Sequence, residues 1–180
     1  MEQNLSTYDK NTIEFLTVAA QFCALLENPD NEPKAEFIDK MTKIMPLLYV
    51  KAQMLTTLQP SEFIDIQDSV TEEDYNFVRN KVAAIMAADD DYLDVFIEDM
   101  KYSDQPILAT VSENFADIYQ EVKNFVAIFM TMPNDDVAQE AVALCYDNFA
   151  NHWGQKLVNV IRQLHAVKYN NQDHSLEDEI

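Results

Sequence analysis

The residues in this chain best suited to chemistry are carboxylates. Asp91, Asp94 and Glu98 stand three and four positions apart, and Asp117 and Glu121 stand four apart. On helices each set would share one side, and facing carboxylates on neighbouring helices are how helical bundles hold divalent metal ions. This gives one functional expectation: a divalent-metal-dependent hydrolase of a phosphorylated small molecule, with these five residues as ligands. The opposing reading is a solvated helix face, because the Asp91/Asp94/Glu98 side lies largely away from the apolar stripe. None of the three histidines has a Glu three positions before it, so the Glu-x-x-His pattern of di-iron bundles is missing.

Other reactive side chains stand alone. His152 falls three residues after Phe149 and seven after Cys145, on a predicted apolar seam. Two helical turns separate it from Cys145, about 10 Å of rise, too far for a shared metal. A core or boundary histidine with a hydrogen-bond partner is expected there, or a small-ligand pocket beside His152 and Trp153. Cys23 and Cys145 sit among apolar residues, which predicts reduced core thiols in a cytoplasmic chain. No P-loop, nucleophile elbow, C-x-x-C or H-E-x-x-H occurs. The turn Tyr102, Ser103, Asp104, Gln105 and Pro106 gathers a phenol, a hydroxyl, a carboxylate and an amide; it is a candidate recognition rim.

The elements that must position these groups read as helices. Only one of 180 residues is glycine, against an ordinary share of about 7%, and hairpins and dinucleotide folds depend on glycine. The first helix is predicted from about Asn11 to Glu27, with Phe15, Val18, Ala19, Phe22, Cys23 and Leu26 on one face. The second runs from Pro33 to about Leu58, burying Phe37, Met41, Ile44, Leu48, Ala52 and Leu55. Pro46 in its middle should kink or split it. Thr71 to Asp74 forms a capping box opening a third helix with Tyr75, Val78, Val82, Ile85 and Met86 inward. The triplet Asp89-Asp90-Asp91 marks the start of a fourth helix, burying Leu93, Phe96, Ile97 and Met100.

Thr110 to Glu113 is a second capping box. It opens the clearest helix, with Phe115, Ile118, Tyr119, Val122, Phe125, Val126 and Phe129 on one face. A last, long helix from about Asp135 to Tyr169 carries Ala138, Ala141, Cys145, Phe149, Trp153, Leu157, Val160 and Leu164. Gly154 inside it signals close packing or a bend. The expectation is an all-α fold: a single bundle of six or seven helices over residues 1–169, then a disordered acidic tail over 170–180.

The charge narrows the partners. Twelve basic against 32 acidic residues give a formal charge of −20, which disfavours nucleic acid and anionic membranes. No cofactor is implied, no run of 18 apolar residues could span a membrane, and Met1 to Lys10 shows no apolar leader. A protein partner with a basic surface suits this field, and the choice between monomer and homodimer stays open. The leading expectation is a cytoplasmic acidic helical module for protein–protein interaction without catalytic activity.

Three stretches carry a resemblance: Asp90-Asp91-Tyr92-Leu93-Asp94-Val95-Phe96 through Tyr102-Ser103-Asp104-Gln105-Pro106; Ala116-Asp117-Ile118-Tyr119-Gln120; and Trp153-Gly154-Gln155 through Leu164-His165-Ala166-Val167-Lys168-Tyr169. With them the chain resembles a bacterial family catalogued only as a domain of unknown function, over most of residues 10 to 169. The resemblance implies a helical cytosolic protein and supplies no activity, cofactor or catalytic residue.

Overall fold

A computed structural model describes residues 8–28, 32–55, 60, 64–94 and 107–170. Five helices and one two-stranded ribbon make up the described fold. Helix α1 spans Lys10–Glu27, with the Asp9 carboxylate accepting the Thr12 N–H at 2.8 Å. Helix α2 spans Lys34–Gln53 and begins just after Pro33. Pro46 neither breaks it nor divides the count: α2 is one helix through it. Helix α3, Glu72–Met86, starts on the predicted capping box, with both reciprocal bonds between Thr71 and Asp74 made.

The expected fourth helix is corrected. Asp91–Leu93 is a strand, β1, paired antiparallel with β2, Leu108–Thr110, in the register Asp91↔Thr110, Tyr92↔Ala109 and Leu93↔Leu108. Phe96, Ile97, Glu98 and Met100 lie outside the described residues. The acidic triplet does serve a helix start, but that of α4, Val111–Met130. The Asp90 carboxylate accepts the Ser112 N–H at 2.8 Å and its hydroxyl at 2.7 Å, and Thr110 caps Glu113 N–H at 3.2 Å. Unpaired N–H groups at a helix start attract a carboxylate from wherever the chain can deliver one. Here it arrives across the ribbon.

Helix α5 is continuous through Asp135–Asn148, a π-helical turn at Phe149–Trp153, and Gly154–Asn170. With this helix unbroken, α2 whole and residues 91–93 in a strand, the helix count is five rather than six or seven. The π turn places the chain's glycine. A Cβ on Gly154 would lie 2.4 Å from the Phe149 carbonyl oxygen and 3.0 Å from its ring. No side chain fits there. The Trp153 indole N–H reaches the Cys145 carbonyl at 3.4 Å, and its ring meets Phe149 edge-on at 4.8 Å. His152, expected in the core or at its boundary, is exposed while Trp153 is fully buried. The extra residue of the π turn rotates one out of the seam the other keeps.

One apolar cluster runs through all five helices. Along α4 the predicted stripe from Phe115 to Phe129 is buried at every position, as is the α5 stripe from Ala138 to Leu164. Phe125 stands between Phe15 and Phe129, with ring centroids at 5.0 and 4.6 Å. In α2, Phe37, Met41, Leu48 and Ala52 are buried as expected, while Met45 is buried and Ile44 only partly so. With glycine so scarce, two non-glycine residues among those described adopt positive φ. Ala87 (φ 52°) ends α3 and Met132 (φ 51°) turns the chain between α4 and α5.

Candidate functional site

Asp117 and Glu121 stand four apart on α4 as expected, but Asp91 and Asp94 share no helix with each other. Asp91 is exposed on β1. Asp94, just beyond that strand, accepts a bond from the Asn159 side chain of α5 at 2.6 Å. Asp117 joins three helices: it accepts the Tyr75 hydroxyl of α3 at 2.8 Å and pairs with Lys156 of α5. Glu121 accepts the Asn148 side-chain N–H at 2.6 Å. Among the described residues, no group of three or more His, Cys, Asp or Glu side chains could hold a metal ion. Glu98 and the rim residues Tyr102, Ser103, Asp104 and Gln105 lie outside the described residues.

The lysines show a pattern that residue spacing did not reveal. Every described lysine is committed to a partner inside the chain. Lys51 pairs with Glu14 across α1 and α2, Lys168 with Asp39 at 2.9 Å across α5 and α2, and Lys123 with Glu27 at 2.5 Å across α4 and α1. Lys10, Lys34, Lys40, Lys43 and Lys156 are likewise ion-paired. Lys81 instead meets the α1 C-terminus, donating to the carbonyls of Leu25 (3.1 Å), Leu26 (3.3 Å) and Asn28. A cation suits the partial negative charge collected there. Lys51 and Lys10 hold the Glu14 carboxyl below the usual carboxylate range, and Lys43 and Lys168 do the same to Asp39.

Several side chains converge on a cleft between the C-terminal end of α1, the N-terminal turn of α3 with its leading segment, and the middle of α4. The cleft encloses about 390 Å³ and is lined by Glu27, Ser69, Val70, Asp74, Phe77, Tyr119 and Lys123. Elements distant in sequence are pinned to form it. Asn124 of α4 accepts the backbone N–H groups of Ser69 (2.8 Å) and Val70 (3.0 Å), and its amide donates to Asp68 at 2.8 Å. The Tyr119 hydroxyl donates to Glu27 Oε1 at 2.9 Å. Burial and then the Glu27 carboxylate push that phenol upward from its ordinary pKa, so it remains a donor at neutral pH. The capping-box bonds from Thr71 hold Asp74 low and ionised.

Two other depressions are less suited to chemistry. The wider, about 530 Å³, is bordered by Lys34, Asp39, Asp89 and Lys168, and its charges are already matched lysine to aspartate. The smaller, about 60 Å³, lies over Cys145 between Glu121 and Asn148. Both cysteines are free and buried. Burial, then Glu27, pushes the Cys23 thiol up to about 12, and burial drives Cys145 upward as well. Neither is a thiolate nucleophile at neutral pH.

Fold and site thus define a predominantly α-helical protein with a mixed-charge surface cleft and none of the described side chains arranged as a metal centre. The chain belongs to the family described as "Domain of unknown function (DUF5063)", which it matches over residues 6–170. It is similar to protein BF1032 from Bacteroides fragilis, known from a crystal structure. Identity is 42%, covering 90% of this chain and 94% of that one, with a TM-score of 0.79. No curated protein matches the chain. Among the described residues no helix is long and apolar enough to cross a membrane.

Proposed function

We propose that this protein is an acidic protein-interaction module whose partner presents a basic surface. The observation that carries this reading is the commitment of every described lysine to an intramolecular carboxylate or carbonyl. The charge of the described lysines is matched inside the fold, and a chain at −20 carries a large surplus of carboxylates. Glu72 and Glu73 on the first turn of α3, Glu113 on α4, and Asp135 and Asp136 on α5 are all exposed. Such a field accelerates encounter with a basic partner and repels nucleic acid and anionic lipid.

Exposed apolar residues supply contact area that charge alone does not. Leu47 and Val50 on the outer side of α2 and Met54 at its C-cap recur at three- and four-residue steps, each more than two-fifths exposed. Interfaces with an apolar centre and a charged rim follow this composition. The test is affinity capture from native lysate of the source organism at about 50 mM and about 500 mM salt, spanning several-fold in screening length. A stoichiometric basic protein at low salt, depleted at high salt, is the expected result. No stoichiometric partner at either salt removes the reading.

A further inference from the structure

We propose that the cleft between α1, α3 and α4 receives the guanidinium group of an arginine presented by the partner protein. This rests on the interaction reading and names the chemistry that the partner brings to the cleft. Both described contacts of the Glu27 carboxylate, from the Tyr119 hydroxyl at 2.9 Å and from Lys123 at 2.5 Å, fall on Oε1. Oε2 carries none of the described contacts. Asp74 repeats this arrangement: its Oδ2 accepts the Thr71 N–H at 3.0 Å and the Thr71 hydroxyl at 2.6 Å, while Oδ1 carries none. Two carboxylates with their orientation fixed by neighbours therefore line one cavity, each with an oxygen that none of the described contacts uses.

The remaining walls decide which cation fits. Phe77 is 45% exposed at the cleft and Val70 half-buried, so an apolar surface lies beside the acceptors. A guanidinium has five donors and a flat, weakly hydrated face that stacks on aromatic rings, whereas an ammonium is compact and strongly hydrated. The volume of about 390 Å³ lies within the range of small-ligand sites, roughly 300–1,000 Å³. An anion is disfavoured, because Lys123 is held by Glu27 and the adjoining turn adds exposed Glu72 and Glu73.

The test is an amide-detected NMR titration of the whole protein at low salt with three probes: an N-acetylated, C-amidated Gly-Arg-Gly peptide, its citrulline counterpart, and agmatine. The arginine peptide should give saturable shifts confined to Glu27, Asp74, Phe77, Tyr119, Lys123 and their neighbours. The citrulline peptide, isosteric and uncharged, should bind at least tenfold more weakly. Glu27→Gln and Phe77→Ala should each weaken binding several-fold; Phe77 lies outside the buried core, so that variant separates binding from folding. Equal binding of arginine and citrulline peptides, or unsaturable shifts spread over the acidic surface, would overturn the proposal. Agmatine binding as tightly as the peptide would also overturn it, in favour of a free small cation. A captured basic partner held equally well by Phe77→Ala would sink the cleft and leave the interaction reading standing.

Discussion

Gly154 and Ala87 show how a chain with one glycine distributes its backbone demands. Gly154 sits where an added Cβ would meet the Phe149 carbonyl at 2.4 Å, and a carbonyl within a helix cannot swing aside as a flexible side chain would. Helix propensity alone favours alanine over glycine by about 1 kcal/mol, while overpacking costs about 1–3 kcal/mol. Gly154→Ala is expected to lower stability in urea unfolding by about 1–2 kcal/mol; a gain would mean the close approach does not exist. Ala87 is the reverse case. Its φ of 52° and ψ of −119° suit glycine, so Ala87→Gly should stabilise by about 0.5–1 kcal/mol in the same assay. The need for close packing at Gly154 was legible from a helix-breaking residue within a strong periodic pattern. The exposure of His152 was not, because a π turn shifts the register without leaving a mark in residue spacing.

Elements with unbroken apolar periodicity were legible almost to their ends. The stripes of α4 and α5 and the Thr71–Asp74 cap are set by neighbours within one or two turns, and local sequence carries that information. The β1–β2 ribbon was not legible, since a three-residue strand offers too little alternation to outweigh a neighbouring acidic triplet. Its consequence for chemistry is direct: Asp91 lies on a strand, so the helical side it was expected to share with Asp94 is missing, and Asp117 and Glu121 on α4 lack that facing set. The cleft was hidden for a different reason. Glu27, Asp74, Tyr119 and Lys123 come from three helices, and no local pattern reports their convergence. Only the Asp74 cap could be read in advance. Between elements, Lys81 is the testable joint, fixing the α1 C-terminus to α3 through the carbonyls of Leu25, Leu26 and Asn28. Lys81→Met keeps much of the apolar stem and removes the charge. It should lower stability by about 1–2 kcal/mol in thermal or urea unfolding, whereas Lys43→Met on exposed α2 should change it little.

At the scale of the molecule, two electrostatic effects compete. Glu14, Asp39 and Asp74 are held below their ordinary values by lysines or by the Thr71 cap. A carboxyl with a lowered folded pKa contributes stability above its unfolded value, about 3.9–4.3, and loses it as pH falls through the folded value. Melting temperature should therefore drop once pH passes below about 4. At neutral pH the opposite lever dominates: a formal charge of −20 repels itself, while surface ion pairs contribute little each. Raising salt from about 10 to about 200 mM shortens the screening length from roughly 30 Å to under 10 Å and should raise the melting temperature. A fall with salt would mean that the ion pairs outweigh the repulsion. The acidic surplus was plain from composition, whereas the internal commitment of the lysines needed the fold. That commitment is what turns net charge into a proposal about a partner. The most direct test is zero-length carbodiimide coupling in native lysate, followed by peptide mapping, because this reagent joins carboxylates only to amines in contact. Couplings from Glu72 or Glu73 of the α3 turn beside the cleft to lysines of one other protein are the predicted result. Recovery of internal pairs alone, such as Glu14 with Lys51 and Asp39 with Lys168, would contradict the account.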